Sequence, residues 1–167
     1  MLWYVVLILA VGLERVAELV VSKRNLAWSR QQGGVEVGAG HYPVMVVLHT
    51  ALLAGCLVEG AFRSFHPGLG WPMLAIVLAS QALRWWCIAT LGRQWNTKVV
   101  VVPGLDRVAR GPYRWLPHPN YVAVVAEGIA LPLVRTGWIT ALVFTLLNAG
   151  LLSVRIRVEN RALAGLA

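Results

Sequence analysis

The segment RGPYRWLPHPNYVAVVAEGIALPL, residues 110–133, places polar side chains directly before and within an apolar run. His118 and Tyr121 supply hydrogen-bonding groups, and the carboxylate of Glu127 lies deeper in the run. Pro119 suits the first turn of a helix, where the free backbone N–H groups form a site for anions. The segment therefore predicts a helix that begins with a ligand-binding end and carries a buried acid.

Charged residues inside apolar segments admit two interpretations. A carboxylate within a membrane segment is costly, so it faces a cavity or a charged partner. Glu127 therefore either contacts a polar ligand or forms a structural ion pair. Glu14 and Glu18 share one helical face because they are four residues apart, and they either line a pocket for a polar head group or pair with arginines. Arg84 or Arg155 is the expected partner of Glu127, and Arg15 and Arg84 are the expected partners of Glu14 and Glu18.

The composition indicates an integral membrane protein. Hydrophobic residues make up 58% of the 167 residues and charged residues 13%, with a mean hydropathy of +0.66, whereas a soluble domain is about half apolar and a quarter charged. The N-terminal apolar run contains charges and lacks the basic start of a signal peptide, so we interpret it as a retained membrane segment. The two cysteines, Cys56 and Cys87, have no metal-ligand spacing, so we expect neither a metal site nor a disulfide.

An all-α integral membrane fold with about five transmembrane helices is predicted, because a helix needs roughly 20 apolar residues to cross the bilayer core. The apolar runs cover about 2–21, 43–60, 71–91, 119–134 and 138–154. The fourth run is short and contains Glu127, Gly128 and Pro132, and we expect it to form a hairpin with the fifth through the sequence RTGW. A C-terminal helix is expected to lie in the cytoplasm.

The distribution of basic residues predicts the orientation. If five helices alternate, eleven Lys and Arg residues fall on one side and only Arg63 and Arg135 on the other. The eleven are Lys23, Arg24, Arg30, Arg93, Lys98, Arg107, Arg110, Arg114, Arg155, Arg157 and Arg161. The positive-inside rule then places the N-terminus outside and both long loops and the tail in the cytoplasm. The net charge of +8 thus matches anionic lipid head groups rather than nucleic acid.

The 110–133 segment resembles the S-adenosylmethionine-binding core of the isoprenylcysteine carboxyl methyltransferase family of membrane enzymes. That core reads Gly-Pro-Tyr, then Arg-His-Pro-x-Tyr, then an embedded Glu and Pro-Leu. The flanking sequences NTKVVVVPG and RIRVENRAL are also similar to family elements. Residues 14–50 are similar to a bacterial branch found beside type III polyketide synthases. Two positions depart from the family pattern, because Pro117 replaces an arginine and Asn160 replaces a glutamate.

The resemblance implies a single membrane methyltransferase domain, 1–167, with S-adenosylmethionine as the cofactor. Residues 1–91 would form three transmembrane helices on the acceptor side, and residues 92–167 the cofactor-binding core. The implied cofactor contacts are Val101, Val102, Pro103, Gly104, Arg110, Gly111, Pro112, Tyr113, His118, Pro119, Tyr121, Glu127, Leu131, Arg155 and Glu159. The catalytic candidates are Glu127, His118, Arg84 and His41, and the substrate-binding candidates are Glu14, Glu18, Trp85, Trp95 and Asn96. Without a ligand, His118 is only a helix cap and the tryptophans are interfacial anchors.

The implied reaction is methyl transfer to an oxygen of an amphiphilic acceptor at the inner leaflet. The acceptor is expected to be a polyketide-derived alkylpyrone or phenolic lipid, or a prenylcysteine-type carboxylate. An ionised acceptor needs no base, whereas a phenol requires one, for which His41 and His118 are available. A phospholipid N-methyltransferase and a non-catalytic lipid-binding or transport protein remain as alternatives. The expected partners are membrane lipids and the acceptor, with a possible homodimer, and the expected location is a bacterial inner membrane.

Overall fold

The computed structural model describes residues 1–106 and 108–164, and within these residues five α-helices make up most of the chain. Each predicted apolar run overlaps one of them. The helices are α1 (Leu2–Gln31), α2 (Tyr42–Phe62), α3 (Pro67–Leu91), α4 (Pro119–Leu133) and α5 (Trp138–Ala164). Arg107, one of the eleven residues used to predict the orientation, lies outside the described residues.

Three of the helices in the described ranges are long and apolar enough to cross a membrane, namely α2, α3 extended to Gln94, and α5 to Ala162. Helix α1 has 30 residues but carries three charged residues in its apolar half. Helix α4 has 15 residues, which is fewer than the roughly 20 of a straight span. The helical, membrane-type architecture is therefore confirmed, while the five spans, the hairpin and the orientation remain predictions.

The C-terminal helix expected in the cytoplasm is not a separate element, because α5 continues without a break to Ala164. Neither proline nor glycine occurs between residues 151 and 164 to interrupt it. Helix α1 also extends ten residues beyond the predicted apolar run, to Gln31. In both cases the apolar run ends where charged residues begin, but the helix does not.

The apolar core contains one close helix–helix approach that positions the rest of the molecule. A Cβ atom at Gly128 of α4 would lie 2.1 Å from Cε1 of Phe144 in α5, so only glycine permits this packing. The hydroxyl of Tyr4 in α1 donates a hydrogen bond to the carbonyl of Leu131 in α4 at 2.9 Å. These contacts hold α4 against both α1 and α5, and its first turn meets the C-terminal part of α5.

A two-stranded antiparallel ribbon adds to the predicted helical architecture. Strand β1 (Val35–Val37) pairs with β2 (Val99–Val101), with Val35 opposite Val101. An isolated two-stranded ribbon is marginally stable, and here Glu36 of β1 contacts Lys98 at 2.7 Å. The ribbon links the loop after α1 to the segment after α3, although the two are about 60 residues apart in sequence.

Glu59 of α2 stabilises the first turn of α5. Its carboxylate accepts hydrogen bonds from the backbone N–H groups of Thr140, at 2.8 Å, and Ile139, at 3.2 Å. These are N–H groups that a helix start leaves without partners, and a carboxylate there also interacts favourably with the helix dipole.

We expect Glu59→Ala to destabilise the protein by about 1 kcal/mol and to lower its unfolding midpoint in detergent by a few degrees. Glu59→Gln retains an acceptor oxygen and should lose less. A thermal unfolding midpoint of Glu59→Ala equal to that of the parent would show that these hydrogen bonds do not stabilise α5.

Candidate functional site

A cavity of about 710 Å³ lies among α1, α3, β2, the 105–121 segment and the C-terminal part of α5. Its volume falls within the roughly 300–1,000 Å³ of small-molecule sites. The residues that line it are Ser29, Leu91, Gln94, Trp95, Asn96, Lys98, Val99, Val100, Val101, Val102, Leu105, Asp106, Val108, Tyr113, Pro117, His118, Asn120, Tyr121, Arg155, Glu159 and Asn160.

One wall of the cavity is a hydrogen-bonded network centred on Tyr121. Arg155 Nε donates to the Tyr121 hydroxyl at 2.8 Å, and that hydroxyl donates to the carboxylate of Glu159. The His118 ring stacks on the Tyr121 ring with their centroids 5.3 Å apart, and its Nδ1 lies 3.6 Å from Glu159 Oε1. His118 Nε2 also lies 3.2 Å from the amide oxygen of Asn160. The wall therefore joins the first turn of α4 to the end of α5.

Local sequence explains how this wall forms. His118 precedes Pro119, which starts α4, and Tyr121 follows within the first turn. Arg155 and Glu159 are four residues apart and therefore lie on the same face of α5. Arg155 also donates to the backbone carbonyl of Thr97 at 2.5 Å, which ties α5 to the segment after α3.

A second wall is apolar and consists of the four consecutive valines from Val99 to Val102. A flat apolar wall facing a polar one suits a ligand that has a ring at one end and charges at the other. Among the lining residues that the structure describes, Lys98 and Arg155 are basic and Asp106 and Glu159 are acidic. The two signs are balanced, so the lining favours a zwitterion over a simple anion.

Two asparagines of the lining have buried atoms that make no hydrogen bond within the described part of the chain, namely Asn96 Nδ2 and Asn120 Oδ1. An unpaired buried polar group costs about 1–3 kcal/mol, and a polar ligand removes that cost by supplying the missing partner. One atom is a donor and the other an acceptor, as a zwitterionic ligand with an adenine ring requires. The chemistry of the lining therefore fits S-adenosylmethionine.

The structure brings nine of the sequence-predicted site residues to the cavity lining. These are Val101, Val102, Tyr113, His118, Tyr121, Arg155, Glu159, Trp95 and Asn96. The last two were predicted to bind the acceptor, but they line the same cavity as the predicted cofactor contacts. Lys98, Asp106 and Asn120 also line it and were not predicted, although Lys98 lies within the NTKVVVVPG element.

Several predicted cofactor contacts lie outside this lining and instead shape the backbone around it. Gly111 has a φ of +57°, and a Cβ atom there would lie 2.5 Å from Thr90 Oγ1. Pro112 and Pro119 are buried at the starts of helical turns, and Pro103 and Gly104 form the turn after β2. Arg110 is exposed beside them, whereas Leu131 is fully buried in the apolar core, remote from the lining.

Glu127 also lies outside the cavity lining, six residues beyond Tyr121 along α4, a rise of about 9 Å. Its Oε2 lies 2.5 Å from Nη2 of Arg84 in α3 and 3.5 Å from Nη2 of Arg15 in α1. Of the two interpretations, the structure therefore favours the ion pair, and the partner is Arg84 rather than Arg155. Glu127 stays a predicted cofactor contact, although the lining of this cavity does not include it.

Glu127 and its partners belong to a larger ion cluster, which we define as Glu14, Arg15, Glu18, Arg84 and Glu127. Arg15 contacts Glu18 at 2.9 Å and Glu14 at 3.6 Å, and Arg84 Nε lies 3.5 Å from Glu18. Trp85 donates its indole N–H to Glu14. The predicted substrate-binding acids are thus paired with arginines, so this cluster joins α1, α3 and α4 at the depth of the apolar segments.

His41, the remaining catalytic candidate, lies outside the cavity lining in a short 3₁₀ turn before α2. Burial, followed by the positive charge of nearby Arg155, lowers the pKa of His41 below its usual value. Its ring is therefore neutral at pH 7, as a base requires. His41 lies outside the lining and His118 is part of it, so the geometry supports His118 better than His41 as a base in the cavity.

His118→Ala is expected to weaken S-adenosylmethionine binding about tenfold, because it removes the ring stacked on Tyr121 and a partner of Glu159. Isothermal titration in detergent measures this. The chain offers a matched control in His66, which precedes Pro67 at the start of α3 as His118 precedes Pro119 at the start of α4. His66→Ala should bind as the parent does. Equal losses in both variants would indicate that the histidines serve only as helix-start residues.

Comparisons with known proteins identify the family that the chain resembles. Residues 73–165 match the model of the Isoprenylcysteine carboxyl methyltransferase (ICMT) family. The chain is 38% identical over 164 residues to the "Uncharacterized protein YpbQ" of Bacillus subtilis, covering 98% of this chain and 96% of that protein. It is 25% identical over 158 residues to an "Uncharacterized protein" of Haemophilus influenzae, covering 91% and 90% of the two chains.

The matched segment begins within α3 and includes Arg84, β2, the 105–121 segment, α4 and all of α5. It therefore contains the whole Tyr121 network and the valine wall, whereas α1, α2 and β1 lie before it. It covers more than half of the chain. The chain belongs to the isoprenylcysteine carboxyl methyltransferase family, whose members are membrane methyltransferases that use S-adenosylmethionine.

Proposed function

We propose that the cavity binds S-adenosylmethionine and that the protein methylates an oxygen atom of an amphiphilic acceptor at the inner membrane leaflet. The observation that carries this proposal is the network of Arg155, Tyr121, Glu159 and His118 facing a wall of valines. Such a cavity pairs a polar, charge-balanced side with an apolar side. It lies among helices whose remaining surface is largely apolar.

The cavity residues have separable roles in this proposal. Glu159 and the amide groups of Asn96 and Asn120 would hold the ammonium and ribose groups, and the Val99–Val102 wall the adenine. When bound, the cofactor supplies an electrophilic methyl group on a sulfonium centre. Residues that align it and exclude water lower the barrier to transfer without proton chemistry.

The replacement of the family arginine by Pro117 is offset within the cavity. Pro117 lines the cavity, and Arg114 does not, so Arg114 is a poor substitute for the missing cation. Among the described residues that line the cavity, the basic ones are Lys98 and Arg155. We propose that one of them faces the cofactor carboxylate. Asn160 replaces a family glutamate but still contacts His118, so this departure preserves the wall.

The ion cluster and the lining support the proposed acceptor class. The ion cluster is a polar region between apolar helices, and it lies on α3 and α4, which also border the cavity. The polar head of an amphiphilic acceptor requires such a region. We propose an alkylpyrone or phenolic lipid, since an acidic enol is already ionised at neutral pH. For a phenol, we propose His118 as the base, because it lines the cavity whereas His41 does not. A prenylcysteine-type carboxylate is the second acceptor to test.

The division of the chain into an acceptor half and a cofactor half is part of this proposal, with one adjustment. Ser29 of α1 and Leu91 of α3 also line the cavity, so the N-terminal 91 residues contribute to the cofactor site. We propose that residues 1–91 supply both the acceptor surface and one side of the cofactor cavity.

Transfer of a labelled methyl group from S-adenosylmethionine tests the proposal directly. The acceptor panel contains alkylpyrones, alkylresorcinols, a farnesylcysteine analogue and phosphatidylethanolamine, each presented in detergent or vesicles. We expect label on an oxygen of one of the first three, identified by mass spectrometry. Label on the phosphatidylethanolamine nitrogen would favour an N-methyltransferase, and no product from any of them would refute the proposed reaction.

A further inference from the structure

Helix α1 carries a buried polar stripe that the matched family segment does not include. Glu18, Ser22, Asn25 and Ser29 are spaced by four, three and four residues, and each is at most 9% exposed. This spacing places them on one helical face. The first half of the same face is apolar, with Tyr4, Ile8 and Val11 in the core. The face therefore changes from apolar to polar between Val11 and Glu18, and its last polar residue, Ser29, lines the cavity.

The side chains in the middle of this stripe bind the turn that follows α3. Asn25 Nδ2 donates to the backbone carbonyl of Trp95 at 2.7 Å and to that of Gly92 at 3.0 Å. Ser22 Oγ accepts a hydrogen bond from the backbone N–H of Thr97 at 3.0 Å and lies 2.8 Å from Thr97 Oγ1. Two residues of α1 thus satisfy three backbone groups of the 92–97 turn.

The 92–97 turn contributes directly to the cavity. Gln94, Trp95 and Asn96 line it, and the carbonyl of Thr97 accepts the 2.5 Å hydrogen bond from Arg155. Apart from one 3₁₀ segment, Gly92–Gln94, the backbone of this turn makes no helical or strand hydrogen bonds. Its conformation therefore depends on side-chain partners. Asn25 and Ser22 supply those partners from α1, a helix of 30 residues.

We infer that Asn25 and Ser22 are positioning residues, which fix the 92–97 turn and through it the placement of Asn96 and Arg155 at the cofactor. This inference rests on the proposed function. Removing the Asn25 donor leaves the buried carbonyl of Trp95 without its side-chain partner, and the turn then occupies several conformations. Only a fraction of the molecules would present the binding-competent cavity, which raises the apparent dissociation constant in proportion.

The test compares Asn25→Leu and Ser22→Ala with the conservative variant Ser22→Thr in the full-length protein in detergent. We expect about ten- to thirtyfold weaker S-adenosylmethionine binding in the first two, and near-parental binding in Ser22→Thr. In methyl-transfer assays KM for S-adenosylmethionine should rise while KM for the acceptor stays constant. Ser80→Ala is the matched control, because Ser80 is equally buried but bonds only to Ile76 O within its own helix.

Hydrogen exchange provides a readout that does not need the cofactor. The amides of residues 92–97 should exchange faster in Asn25→Leu than in the parent, while those of α4 remain unchanged. Parental exchange and parental affinity in both Asn25→Leu and Ser22→Ala would overturn the inference and leave the proposed function intact. If the parent itself shows no saturable binding, the proposed function fails and the cofactor part of the inference fails with it.

Discussion

Arg155→Ala is expected to abolish measurable S-adenosylmethionine binding, with a loss of at least a hundredfold. Arg155 is 6% exposed and links Tyr121 of α4 to the Thr97 carbonyl of the 92–97 turn. Its removal leaves Glu159 without the nearby positive charge and the Thr97 carbonyl without its donor, so both the charge and the shape of the cavity wall change. Since 1.4 kcal/mol corresponds to a factor of ten, a hundredfold loss is about 2.8 kcal/mol of binding free energy.

The control for Arg155→Ala lies two residues further along the same helix. Arg157 is exposed, and its guanidinium donates to the carbonyl of Ser153 within α5. Arg157→Ala removes the same charge from the same region and should leave the dissociation constant within about twofold of the parent value. Similar losses in both variants would mean that net positive charge, and not the Tyr121 network, determines binding.

Glu127→Ala is expected to be the most destabilising single substitution in the ion cluster, with little direct effect on the cofactor. It leaves Arg84, which is 4% exposed, without its 2.5 Å partner. Loss of one member of a buried ion pair costs about 3–5 kcal/mol, which lowers the unfolding midpoint of a protein of this size by roughly 10 °C. Molecules that remain folded should bind S-adenosylmethionine with near-parental affinity, because Glu127 does not line the cavity.

Two variants separate the pairing of Glu127 from a ligand contact. Glu14→Ala removes a carboxylate at the more accessible edge of the ion cluster, where the side chains are 17% exposed, and should cost far less. The double variant Arg84→Met with Glu127→Leu removes both charges and should recover part of the lost stability. A Glu127→Ala protein with the parental midpoint but no cofactor binding would restore the interpretation of Glu127 as a cofactor contact.

The sequence predicts the features that depend on local composition. The five apolar runs, the start of α4 at Pro119 and the convergence of His118, Tyr121 and Glu159 follow from hydropathy, proline chemistry and the family resemblance. The sequence does not identify the partner of Glu127. Arg84 lies 43 residues before it, and sequence alone does not distinguish Arg84 from Arg155 as the partner. Only the packing of α3 against α4 decides between them.

The sequence alone predicts neither the ribbon nor the full length of α1, and the physical reasons differ. The sequences VEV and VVVV are too short to show a period-two pattern. A strand also requires a partner strand, which can lie far away in the sequence. The polar residues Ser22, Asn25 and Ser29 follow the first apolar run at helical spacing. The end of an apolar run, however, marks only where the apolar environment ends. A helix continues past that point when its polar residues have partners within the protein.

The central claim is that the cavity between the Tyr121 network and the valine wall is the cofactor site. A structure of the protein solved with S-adenosylhomocysteine, the product left after methyl transfer, tests it most directly. We predict density for one molecule in contact with Tyr121, Glu159 and at least one valine of the Val99–Val102 wall. Density at the ion cluster, or an empty cavity at saturating ligand, would contradict the claim.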